Sequence, residues 1–223
     1  GRMAEPEAIF STLEKYFASK NILKGKTIVI TAGPTYENLD PVRFIGTYST
    51  GKMGICIAEL AASMGATVHL VLGPTHLSTQ APGIKTYNVK NAEAMYKKTV
   101  SLFSKCDVGI MSAAVADYTP KVVANNKIKK ADGILTLELT KTKDILKQLG
   151  AVKTKTQHLI GFALESTDGK AYALKKLKEK NCNMIVLNSL QDKGAGFAHA
   201  TNKITLFDNK GLEKSFDLKS KEA

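Results

Sequence analysis

Tryptophan is absent from this 223-residue chain, and cysteine and proline are scarce, at three and six residues. Cys56, Cys106 and Cys182 are far apart, odd in number and form no CxxC pair, so neither a disulfide framework nor a zinc site is supported. Cys56 and Cys106 sit among apolar residues and read as buried core thiols. His69, His76, His158 and His199 show no ligand spacing, and His69 and His158 fall inside strand-like runs. No apolar run approaches the ~18 residues of a membrane helix, and no signal peptide is visible. The chain therefore reads as soluble and cytoplasmic, with no membrane partner. Acidic residues are also in deficit, 20 against 32 lysines and arginines, for a net charge of +12. Such a surplus invites nucleic acid. The lysines, however, are spread along helices such as Lys175-Lys-Leu-Lys178, among acids, with no dense block interleaved with aromatics. They read as a solvated surface that suits phosphorylated small molecules, with no nucleic acid.

What is present is 43% hydrophobic, enough to exclude disorder and to build one large domain. Strands over Thr27–Thr31, Thr67–Leu72, Lys85–Val89, Val108–Ser112, His158–Ala163 and Met184–Asn188 alternate with helices over Lys52–Met64, Ala92–Ser104, Lys143–Leu149 and Lys170–Lys180. This rhythm predicts an α/β fold, a Rossmann-like, mainly parallel sheet with helices on both faces. Two segments break it. Pro120–Leu139 holds a basic flap and then the alternating run Ile134-Leu-Thr-Leu-Glu-Leu139, which predicts a strand. Lys203–Leu218 reads as a hairpin around Asp208-Asn-Lys-Gly211. Both read as a small antiparallel extension suited to dimerisation.

Asp40-Pro-Val-Arg-Phe-Ile-Gly-Thr-Tyr-Ser-Thr-Gly-Lys-Met-Gly54 leaves a loop and enters a helix, bringing an arginine, hydroxyls and a glycine turn to the end of a sheet. Free N–H groups and the helix dipole favour an anion there, so Ser49, Thr50 and Gly51 read as a phosphate site. Two decoys lie close by. Gly46-x-x-x-x-Gly51-Lys52 matches a P-loop until Met53 replaces the Ser/Thr that would hold magnesium. Tyr172-x-x-x-Lys176 matches the catalytic pair of short-chain dehydrogenases, yet Thr31-Ala-Gly-Pro-Thr35 has one glycine where a dinucleotide site needs several. An NAD(P)-dependent oxidoreductase of that type stays as the alternative reading.

In order and spacing, Thr31-Ala-Gly-Pro-Thr35, Asp40-Pro-Val-Arg43, Ser49–Gly54, Ala113-Ala-Val-Ala-Asp-Tyr118 and Lys127-Ile-Lys-Lys130 resemble the phosphopantothenoylcysteine synthetases of coenzyme A biosynthesis. The likeness covers roughly residues 25–218. It implies a ligase that joins 4′-phosphopantothenate to L-cysteine through an acyl-cytidylate, with CTP and Mg2+ and without FMN in this half. Residues 1–24 resemble the end of the flavin-dependent decarboxylase that bacteria fuse ahead of the synthetase, followed by a linker helix over Ala8–Ser19; residues 25–223 are then the synthetase domain, expected as a homodimer. By the same resemblance Gly33, Ala113, Asp117, Lys127, Lys143, Asp144, Ile145, Leu146, Phe162, Lys176 and Lys180 meet the nucleotide. Arg43, Thr47, Ala113 and Ala114 meet phosphopantothenate, with Lys127 closing over the activated intermediate. The family has asparagine where this chain has Thr47, which leaves open an impaired synthetase that binds substrates but turns over poorly.

Overall fold

The structure is a computed structural model that describes residue 5 and residues 21–130, 133–165, 167–189 and 201–221. The expected linker helix over Ala8–Ser19 lies outside the described residues. In chain order the first strands are β1 (Thr27–Ala32), the short β2 (Glu37–Asn38) and β3 (Phe44–Ile45), β4 (Thr67–Leu72), β5 (Ile84–Asn88) and β6 (Val108–Met111). They are followed by the short β7 (Tyr118–Pro120) and β8 (Leu139–Lys141), then β9 (His158–Glu165), β10 (Met184–Ser189), β11 (Thr201–Asp208) and β12 (Glu213–Ser220).

Eight strands form one sheet in the order β12-β11-β10-β9-β6-β1-β4-β5. The run from β5 to β10 is parallel throughout. Its order, read as 3-2-1-4-5-6, is that of doubly wound nucleotide-binding folds. The hairpin expected around Asp208 is β11 and β12, which extends the sheet antiparallel to β10.

Alternation along β1 divides the core. Ile28, Ile30 and Ala32 pack with Ile55, Ala58 and Ala61 of helix α1 (Lys52–Ser63). Val29 turns to the opposite face, which is covered by α2 (Ala92–Phe103), α3 (Ile145–Val152) and α4 (Gly169–Glu179). There Met95, Phe103, Leu146, Leu149, Ala173 and Leu177 are buried, as strands covered on both faces require. Each fully buried large aliphatic side chain stabilises by roughly 2 kcal/mol over its exposed state. Among the described residues no helix is long and apolar enough to cross a membrane.

Three expectations change. Ile134–Glu138 is not a strand; only Leu139 enters one, where β8 pairs with β7. Alternation makes a strand only where a face can be buried, and Ile134 is 96% exposed. Lys143 precedes its helix rather than opening it, because the Asp144 carboxylate accepts the Lys147 N–H at 2.8 Å and caps α3. Of the thiols, Cys106 and Cys182 are buried while Cys56 is half-buried. Burial pushes both buried thiols up to about 11, which makes them poor nucleophiles.

Close backbone approaches lock the sheet edge. The loop after β4 crosses the loop after β1, and a Cβ at Gly73 would collide with the Pro34 carbonyl oxygen. Gly73→Ala is therefore expected to cost about 3 kcal/mol, since main chain, not a side-chain tip, must give way. Urea unfolding of the two proteins measures it; an unchanged midpoint would contradict this packing.

Candidate active site

Strand order reverses between β1 and β6, and open α/β sheets bind ligands outside the carboxyl ends at such a point. Here the two chains stay zipped beyond the strands. Ala114 N–H donates to Gly33 O at 2.9 Å, and Thr35 N–H donates to Ala114 O at 3.3 Å. The hydroxyls of Thr31 and Thr35 accept the N–H groups of Ala113 and Ala116 at 3.3 and 3.0 Å. The zipper presents the small residues Ala113–Ala116 as a ridge with a cavity on either side. The cavities share Ala113, Val115, Asp117 and Phe162.

The first, about 460 Å3, opens toward α3 and α4 and is lined by Thr31, Met111, Tyr118, Lys141 to Leu146 and Lys176. Lys176 donates to Phe162 O at 2.8 Å, and its burial depresses the ammonium pKa, partly offset by Asp144 and Glu165. Burial opposes ionisation of Asp144, but hydrogen bonds from Lys180 at 2.6 Å and from the Lys147 N–H hold its carboxyl below the usual range. Lys180 touches this cavity only through Asp144. Lys143 pairs with Glu93 at 2.9 Å and lies 5.0 Å over the Tyr96 ring.

The second cavity, about 320 Å3, is bounded by Thr47, Ser49, Thr50, the start of α1, Ala114, Leu164, Asn188, Asn202 and Lys221. Gly51, in the left-handed region at φ 79°, precedes α1 without a side-chain cap. Ser49 and Thr50 hydroxyls accept the Gly51 and Lys52 N–H groups only at 3.3 and 3.4 Å, weak bonds that an anion can displace. Burial, then the charge of Lys52, depresses the Lys221 ammonium pKa, so two cations face this cavity together. Thr47 Oγ1 donates to Ala114 O at 3.4 Å.

The structure thus brings Ala113, Asp117, Lys143, Asp144, Ile145, Leu146, Phe162 and Lys176 to one cavity, and Thr47, Ser49, Thr50, Gly51, Ala113 and Ala114 to the other. Gly33 lies beneath, paired to Ala114. Arg43 and Lys127 line neither cavity. Arg43 is bound to Asp40 and Ile128, and Lys127 is exposed on the loop beside it. Asn188, Asn202 and Lys221 went unseen in the sequence. Asn188 stands on β10 itself, whereas Asn202 and Lys221 reach the site only because β11 pairs with β10, where Asn202 Nδ2 donates to Asn188 Oδ1 at 3.1 Å. No local motif marks them. The decoys fail on position: Tyr172 is 52% exposed and lines neither cavity, and Gly46–Lys52 enters α1 from a loop beyond β3 rather than directly from a strand.

A doubly wound domain with paired, lysine-lined cavities at its switch point defines the class of α/β folds whose ligand sites lie outside the carboxyl ends of the strands. The chain belongs to the family of the DNA/pantothenate metabolism flavoprotein C-terminal domain, whose model matches residues 23–223. It is 48% identical over 225 residues to a cysteine/cysteine sulfinic acid decarboxylase from an unknown prokaryotic organism, covering 99% of this chain and 63% of that protein. It is 47% identical over 224 residues to the coenzyme A biosynthesis bifunctional protein CoaBC of Bacillus subtilis (strain 168), covering 99% and 55%. The chain thus spans only part of the length of these relatives. Among solved structures, the C-terminal domain of a coenzyme A biosynthesis bifunctional protein CoaBC superposes with a TM-score of 0.76 at 43% identity, covering 91% of each chain.

Proposed function

We propose that this chain is a CTP-dependent phosphopantothenate–cysteine ligase, an acid–amino-acid ligase of coenzyme A biosynthesis, and the C-terminal part of a protein whose preceding part is a flavin-dependent decarboxylase. The observation that carries this reading is the ridge shared by two cavities. A ligase of this kind must hold two anionic substrates so that a carboxylate oxygen of one meets the α-phosphorus of the other, and Ala113, Val115 and Asp117 line both cavities.

CTP occupies the first cavity, with Ile145, Leu146 and Phe162 against the base and Lys176 and Lys143 toward its charged groups. Phosphopantothenate occupies the second, its phosphate at the start of α1 between Lys52 and Lys221. The substrate carboxylate attacks the α-phosphorus, pyrophosphate leaves, and a mixed acyl–phosphate anhydride forms. The cysteine amine then attacks the acyl carbon and expels CMP. No protein nucleophile is required. Charge neutralisation and alignment remain as the protein's task. Asp144 is committed to Lys180 and the α3 cap, which leaves Asp117 as the carboxylate facing both substrates. Among the described residues no cluster of three or more histidine, cysteine or acidic side chains could hold a metal, so magnesium would enter with the nucleotide and would supply further neutralisation of the phosphate charge. Lys127 neutralises charge in the activation step and closes over the intermediate. The working form is a homodimer, for which the exposed Val122, Ile134 and Leu135, in the connection between β7 and β8, offer an apolar surface.

Pyrophosphate release that needs both phosphopantothenate and CTP, and a product that also needs cysteine, tests the reading; release with neither CTP nor ATP would overturn it. Thr47 decides the second step. Its hydroxyl is turned to Ala114 O and lacks the two-ended reach of an amide. Thr47→Asn is expected to speed conversion of the acyl-cytidylate by about tenfold, the worth of one added strong hydrogen bond. Rapid-quench mass spectrometry of the intermediate measures it, and equal decay in both proteins would contradict the assignment.

A further inference from the structure

The turn between β2 and β3 holds a carboxylate that neither cavity explains. The Asp40 side chain is wholly buried. Its Oδ1 accepts the N–H groups of Val42 and Arg43, each at 2.8 Å. Those two bonds suffice for a local turn. Its Oδ2 accepts Arg43 Nε at 3.0 Å, Arg43 Nη2 at 2.6 Å and the Ile128 N–H at 3.0 Å. The same Arg43 Nη2 donates to Ile128 O at 2.6 Å, 85 residues along the chain. Close by, the Ala124 N–H donates to Leu39 O at 2.9 Å. One carboxylate–guanidinium pair therefore grips the peptide groups on both sides of Ile128, and the residue joined to the first of them is Lys127.

Lys127, Lys129 and Lys130 lie within four residues and are all exposed, so their mutual repulsion favours spreading this loop into solvent. The grip on Ile128 opposes that spreading. Burying a carboxylate is costly unless its lone pairs are satisfied. Burial here works against ionisation, yet the bonds from Arg43, Ile128 and Val42 together hold the Asp40 carboxyl far below the usual range. The grip is thus charge-assisted on both of its contacts to the flap.

We propose that Asp40 and Arg43 act as a latch on the flap, positioning residues that set the reach of Lys127 through the Ile128 main chain instead of binding a substrate themselves. The role of Lys127 in the activation step rests on the ligase reading above; the latch rests on the geometry alone.

Asp40→Asn separates the two halves of the network. The amide oxygen can keep the turn bonds to Val42 and Arg43, while an NH2 replaces the oxygen that faces Arg43 and the Ile128 N–H. In the 223-residue chain, trypsin should cut after Lys127, Lys129 or Lys130 at least about tenfold faster, with amide exchange in β1 and β6 unchanged. The kcat for pyrophosphate release from CTP and phosphopantothenate should fall by about tenfold to a hundredfold, with KM for CTP little altered. Because Asp40 acts through Lys127, the double variant Asp40→Asn, Lys127→Ala should be no slower than Lys127→Ala alone. Losses that multiply, or faster cleavage with an unchanged kcat, would overturn the positioning role. Should Asp40→Asn fail to fold, Arg43→Lys keeps a cation beside the carboxylate but cannot also span to Ile128 O, and the same gains in cleavage are expected. If the wild-type chain releases no pyrophosphate, the ligase reading fails separately, and cleavage decides the latch: an unaltered rate overturns it.

Discussion

Lys127→Ala is expected to slow pyrophosphate release from CTP and phosphopantothenate by about a hundredfold to a thousandfold, with substrate affinities close to those of the wild type. The magnitude is that of removing one preorganised charge from the place where negative charge develops. Lys127 lines neither cavity, so it adds little to ground-state binding of either substrate. A loss confined to kcat is what an interaction made only in the transition state produces. Steady-state kinetics with each substrate varied in turn measures both parameters. A rise in KM with kcat preserved would instead make Lys127 a simple binding residue.

Ala113→Phe is expected to lower kcat/KM for both CTP and phosphopantothenate, each by about a hundredfold. Ala113 lies on the ridge that both cavities share, and its N–H is held by the Thr31 hydroxyl, so the backbone cannot withdraw to make room for a ring. Substitutions on one side alone should discriminate. Lys176→Met touches only the first cavity and should raise KM for CTP, while Leu164→Trp touches only the second and should raise KM for phosphopantothenate. Equilibrium binding of each substrate to the three variants is the check. If Ala113→Phe impaired one substrate alone, the shared ridge would not be where they meet.

The sequence carried most of the scaffold because β1, β4, β6 and the four helices are buried by simple periodic patterns, and each appears within a few residues of its expected place. The alternation of Ile134–Leu139 misled, since a period of two describes a side-chain pattern and cannot supply the sheet face that would bury it. The two halves of the site differ in the same way. Ser49 to Gly54 and Ala113 to Asp117 were legible because contiguous residues at one strand or helix end converge locally. Asn202 and Lys221 come from the far hairpin and depend on the pairing of β10 with β11, which no motif announces. Asp40 looks like an ordinary turn residue; its grip on Ile128 exists only once the flap folds back over the loop. Arg43 was expected at the substrate, yet its guanidinium is spent on Asp40 and Ile128.

The most direct test of the account follows the substrate's own oxygen. Phosphopantothenate labelled with heavy oxygen in both carboxylate positions is incubated with CTP, magnesium and L-cysteine, and the products are resolved by mass spectrometry. Attack of the carboxylate on the α-phosphorus carries one heavy oxygen into CMP and leaves one in the amide carbonyl of phosphopantothenoylcysteine. That pattern is the predicted result. Unlabelled CMP, or labelled substrate returned unchanged with no pyrophosphate released, would contradict the ligase mechanism assigned to this site.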